Sequence, residues 1–91
     1  MIRLFLHARF QRRIEELGPE LKRQAQATLT ALQNDFGNPH VHSGLGIRKL
    51  RHKIFEVRVG KEYRIVLLAQ PGALTAYDIM NHDDVRAYLK S

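Results

Sequence analysis

Apolar positions change period three times along the 91-residue chain, and each change marks a new kind of element. Ile2, Leu4, Phe5 and Leu6 form a short run of β-compatible residues, which predicts a first strand over residues 2–6. Over residues 8–17, Phe10, Ile14 and Leu17 recur at helical spacing, with Arg12, Arg13, Glu15 and Glu16 on the opposite side. Gly18 ends this helix, and Pro19 opens the next at the position where its missing N–H costs nothing. Leu21, Ala25, Leu29, Leu32 and Phe36 make the stripe of a second helix over residues 19–36, stopped by Gly37-Asn38-Pro39. After a Gly-, Ser- and His-bearing loop the period falls to two, giving strands over residues 47–50, 54–59, 63–69 and 74–79, with Pro71-Gly72 as the clearest turn. Behind Asn81 and Asp83, both capping types, Val85, Tyr88 and Leu89 return to helical spacing over residues 82–90. The order implies an α+β fold, with an N-terminal strand and a two-helix hairpin packed on a twisted antiparallel sheet and a short C-terminal helix closing the chain.

The totals narrow this picture. Ninety-one residues suffice for a single domain, residues 1–91, and not for two cores. Hydrophobic residues at 44% and charged residues at 26% are ordinary globular values, which argues against wholesale disorder and a membrane protein alike. The opening MIRLFLHARF is broken by Arg3 and closed by His7 and Arg9, too short for a signal peptide or a spanning helix, so a cytoplasmic location is expected. The absence of cysteine excludes disulfides and thiolate metal sites and fits a reducing compartment.

Charge is where the chain departs from the ordinary. The net charge is +6. Between Arg48 and Arg64 stand seven cations (Arg48, Lys49, Arg51, Lys53, Arg58, Lys61, Arg64) against Glu56 and Glu62, so +5 of that total lies in one short segment. Such density points to a polyanionic partner through phosphate neutralisation, and an acidic protein segment would use the same patch.

Within that segment, Phe55, Val57 and Val59 alternate with Glu56 and Arg58, the pattern of a strand with one dry and one wet face. Arg64 comes early on the following strand, and same-face neighbours lie within roughly 5–8 Å, so Glu56, Arg58 and Arg64 can meet on one ligand. His82, just after the last strand, adds an imidazole. Metal-free RNA cleavage needs a base for the 2'-hydroxyl proton, cations for the phosphorane, an acid for the leaving 5'-oxygen and a hold on the nucleotide. Glu56 suits the base, Arg58 and Arg64 the phosphate clamp, His82 the acid and Tyr88 a stacking surface, with Arg48, Lys49, Arg51, Lys53 and Lys61 as further substrate contacts. Plainer roles stand beside these: a solvated ion pair for Glu56 and Arg58, a paired edge arginine for Arg64, a helix cap for His82 and core packing for Tyr88. His40-Val41-His42 suggests a metal pair, but no third ligand is evident, and neither metal nor cofactor is assigned.

The stretch GLGIRKLRHKIFEVRVGKEYRIVLL, followed by a strand and then NHDDVRAYL, resembles the RelE/ParE superfamily of toxins from bacterial type II toxin–antitoxin pairs. The resemblance covers essentially the whole chain. It implies a toxin that enters the ribosomal A site, against 16S rRNA, cleaves mRNA there, and is silenced by a cognate antitoxin wrapped around its basic surface. It also places Glu56 and Arg58 where the namesake branch has catalytic lysines, Arg64 at the phosphate-binding arginine, His82 at a late arginine and Tyr88 at the near-terminal tyrosine. The Glu, Arg, His set is similar to the YoeB-type branch, an endoribonuclease or mRNA interferase. Two alternatives stay open: the ParE branch, which inhibits DNA gyrase without cutting RNA, and a non-catalytic basic partner-binding module.

Overall fold

In a computed structural model that describes residues 2–36 and 46–90, the last three of them by backbone alone, the elements follow the order expected from the sequence. They are β1 (Arg3–Leu6), α1 (Ala8–Leu17), α2 (Pro19–Asp35), β2 (Ile47–Arg51), β3 (Ile54–Val59), β4 (Tyr63–Gln70), β5 (Ala73–Asn81) and α3 (His82–Lys90). His40, His42 and the side chain of Tyr88 lie outside the described residues. Gly18 joins the two helices of the hairpin at φ 100°, a conformation that a side chain would strain, and Pro19 follows as the first residue of α2.

Among the described residues the strands form one sheet in the order β1-β5-β4-β3-β2. β2 to β5 run as an antiparallel meander, while β1 joins the β5 edge in parallel, with Leu4 opposite Leu74 and Leu6 opposite Ala76. The helical hairpin between β1 and β2 supplies the long crossover that such a parallel pair requires. α1 lies over β5 and α2 reaches β3. Phe10, Ile14, Ala25, Leu29 and Leu32 from the helices close on Val57, Val59, Ile65, Leu67, Leu74 and Ile79 from the sheet. Each side chain buried as fully as Leu32 or Ile65 contributes roughly 1.5–3 kcal/mol.

The other face differs from its sequence reading. Alternation assigns Glu56 and Arg58 to a wet face, yet Val66, Met80 and Val85 form a second apolar cluster there, with Leu50 and Ile54 packed against it. The cause is α3, which folds back over β4 and β5 and seats Val85 on the sheet. Glu56, on this same face, is 3% exposed, a buried acid rather than a solvated one.

β5 outruns its parallel neighbour. β1 ends at Leu6 opposite Ala76, so among the described residues β5 continues with a free edge, and Asp78, itself buried, fills it. Its Oδ1 accepts the Ile79 N–H at 2.8 Å, while Arg9 and Arg13 of α1 bring their Nε atoms to 3.4 and 3.7 Å of the carboxylate. Helix α1 is thereby tied to the strand on which it packs. Among the described residues, no helix is long and apolar enough to cross a membrane.

Candidate active site

The site is built on the β3–β4 hairpin. Arg58 and Arg64 are register partners directly across that pair, as are Glu56 and Val66, so the acid and both guanidiniums lie on the face that α3 partly covers. β2 adds Arg48 opposite Glu56, and Arg48 Nη2 stands 2.9 Å from Glu56 Oε1. Arg64 Nε approaches the other oxygen, Oε2, to 4.0 Å. Among the described residues Oε2 is buried without a hydrogen-bond partner. Unpartnered buried polar atoms are rare enough in folded proteins to require a reason.

The turn after β3 fixes two of the groups at once. Arg64 Nη1 donates to the carbonyls of Lys61 at 3.3 Å and Tyr63 at 3.0 Å, which holds the guanidinium against the turn. The carbonyl of Glu62 accepts the backbone N–H of His82 at 2.9 Å and sets the start of α3 beside Arg64. Asn81 caps that helix, its Oδ1 accepting the Asp84 N–H at 2.8 Å, so the cap is Asn81 and His82 is left for another role. His82 Nδ1 is the second buried atom with no hydrogen-bond partner among the described residues.

These side chains line two adjoining depressions that share Arg64, rather than the single pocket expected from the sequence. One, of about 230 Å³, is bounded by Gly46, Ile47, Arg48, Glu56, Arg58 and Arg64. The other, of about 440 Å³, is bounded by Lys61, Glu62, Arg64, Asn81, His82 and Asp83. An anion held by Arg64 would have the carboxylate on one side and the imidazole on the other.

The basic segment does not form one patch. Arg48, Arg58, Lys61 and Arg64 gather here. Lys49 is opposite Phe55, which packs on the helix side, so alternation sends Lys49 to the other face. Arg51 pairs with Ile54 at the far end of the β2–β3 hairpin, and Lys53 sits in its tip at φ 64°; four residues of strand, roughly 13 Å, separate Ile54 from Arg58. A kink in the register between Lys49 and Arg51 interrupts β2 as well. Among the described residues no cluster of three or more His, Asp or Glu side chains is placed to hold a metal ion.

One residue of the site escaped the sequence reading. Gly46 takes φ 75°, and a Cβ there would lie 2.8 Å from Arg58 Cβ and 3.2 Å from its Nε. Glycine lets the arginine lie along the backbone at the start of β2. Its signal in the sequence was only a second glycine in GLG.

Arg58 and Arg64 face each other with like charge, an arrangement that destabilises a sheet unless an anion lies between them. Arg58 is exposed and has no ion pair among the described residues. Arg58→Gln should therefore raise stability by about 0.2–1 kcal/mol at low ionic strength, with the gain fading as salt is added. Denaturant titrations at two salt concentrations measure this. A variant less stable than the wild type at low salt would show that the opposed charges cost nothing.

No model of a known protein family matches the sequence, and no curated protein matches it. Solved structures do. A chain from the crystal structure of the RelB–RelE antitoxin–toxin complex of Methanococcus jannaschii superposes with a TM-score of 0.72 at 15% identity, covering 92% of this chain and 96% of that one. One from the archaeal RelE–RelB complex of Pyrococcus horikoshii OT3 gives 0.71 at 14% identity, covering 88% and 93%. YafQ from E. coli strain BL21(DE3) gives 0.66 at 12% identity, covering 93% and 98%. At such identities the likeness is one of architecture, and the architecture of the chain is RelE-like.

Proposed function

We propose that the protein is the toxin of a type II toxin–antitoxin pair and that it cleaves RNA without a metal, on ribosome-bound mRNA. The observation that carries this reading is the buried carboxylate of Glu56, whose Oε2 lacks a hydrogen-bond partner among the described residues, beside a pair of opposed arginines. A solvated surface acid would need neither burial nor that company.

In this mechanism the carboxylate of Glu56, in the wall of the smaller depression, takes the proton from the 2'-hydroxyl. The 2'-oxygen then attacks the adjacent phosphorus. Arg64, fixed by two carbonyls of the turn, and Arg58, lying on Gly46, receive the charge that accumulates on the non-bridging oxygens. The imidazole of His82 gives its proton to the departing 5'-oxygen, leaving a 2',3'-cyclic phosphate on one fragment and a 5'-hydroxyl on the other. Preorganised guanidiniums suit this role because they need not reorient as charge develops. Lys61 and Arg48 border the same depressions and would hold flanking phosphates. A cognate antitoxin is the expected partner, as in the RelB–RelE complexes whose architecture the chain shares.

The test is to incubate purified protein with mRNA and ribosomes, and in parallel with gyrase and plasmid DNA. Fragmented mRNA with unaltered supercoiling is the expected result. Intact mRNA with inhibited gyrase would replace this reading with that of a gyrase inhibitor, and inactivity in both would leave a partner-binding module.

A further inference from the structure

A second set of charged and aromatic groups stands outside this site, where α1 crosses the free edge of β5. Arg9, Arg12 and Arg13 line one depression together with Glu16. Beneath it lies Asp78, 2% exposed, which approaches the Nε of both Arg9 and Arg13 and holds the two guanidiniums against the strand. Arg9 Nη1 donates to the Tyr77 hydroxyl at 3.1 Å, and its guanidinium sits 5.6 Å from the Tyr77 ring. The exposed His7 ring stands 4.8 Å from Tyr77 and is itself fixed, its Nδ1 accepting the Arg9 N–H. Arg12 and Glu16 have no ion pair among the described residues, and three arginines against one acid leave the depression net positive.

We propose that this cluster is a second binding subsite for single-stranded RNA, in which Arg12 and Arg13 hold a backbone phosphate and the His7–Tyr77 rings offer a surface to a base. It extends the reading above to another contact on the same strand. The chemistry favours nucleic acid over an acidic peptide, because guanidiniums held in place by a buried carboxylate next to an exposed ring match alternating phosphate and base. Its position also suits one strand: Asp78 on β5 precedes His82, the first residue of α3, by four residues, roughly 13 Å of extended chain.

The test uses a fluorescein-labelled decamer of 2'-O-methyluridine, which resists cleavage, followed by anisotropy over a series of salt concentrations. Arg12→Ala should weaken binding about threefold to tenfold and make the salt slope shallower by about 0.7. Arg13→Gln should act in the same direction, and melting curves should show both variants folded. Unchanged affinity and slope in Arg12→Ala would overturn the subsite, as would a wild-type protein that does not bind the decamer. Equally, if Arg12→Ala weakens a labelled polyglutamate decamer and leaves the RNA probe unaffected, the surface docks protein and the proposal falls. A wild type that binds the decamer but cuts no mRNA would reject the nuclease reading and leave the subsite standing.

Discussion

Replacing Glu56 by glutamine should lower the rate of RNA cleavage by about 10²–10⁴-fold, the usual contribution of a positioned general base. That corresponds to about 3–5 kcal/mol of barrier. The variant should nevertheless fold. Arg48 is 64% exposed and loses little when its partner becomes neutral, while Arg64, at 15% exposed, keeps its two turn carbonyls. Glutamine also preserves volume and an acceptor for Arg48, so the stability change should stay within about 1 kcal/mol. Single-turnover cleavage beside a thermal melt separates chemistry from unfolding. Wild-type cleavage by a folded Glu56→Gln protein would remove the base from the mechanism.

The largest effect on stability should come from Asp78→Ala. The Ile79 N–H would lose its acceptor on a strand edge that no neighbouring strand covers among the described residues, at a cost of about 1–3 kcal/mol. Arg9 and Arg13 are each more than a third exposed, so the two ion pairs add only a little to that. A total of about 2–3 kcal/mol, at roughly 4–8 °C per kcal/mol for a domain of this size, lowers the melting temperature by about 8–24 °C. Asp78→Asn retains an acceptor for Ile79 and should recover more than half of the loss. An alanine variant melting within about 2 °C of the wild type would show that the free edge of β5 is satisfied in some other way.

Most of the fold could be read from periodicity, since its elements are long enough to show their period and are bounded by Gly and Pro. Phe10, Ile14, Ala25, Leu29 and Leu32 are buried where helical spacing places them, and β3 occupies the residues that alternation assigned. Less could be read where an element's surroundings are set by a distant part of the chain. Period two correctly puts Glu56 on the face away from the helical hairpin, but nothing local reveals that α3 returns to cover that face. Asp78 gave no signal of its own, because its burial depends on β1 stopping at Leu6 while β5 continues. The run of cations from Arg48 to Arg64 suggested one patch, and pleating together with the hairpin tip at Lys53 disperses it. Arg58 and Arg64 were brought together correctly because they are close in sequence across a tight turn.

The proposed chemistry begins with the proton of a single hydroxyl, and this gives the most direct measurement. An mRNA cut at a mapped position is remade with 2'-deoxyribose at the nucleotide immediately 5' of the scissile phosphate. This RNA should survive incubation intact, while the unmodified one yields a 2',3'-cyclic phosphate and a 5'-hydroxyl. Equal cutting of both RNAs, or a 5'-phosphate on the product, would contradict that chemistry.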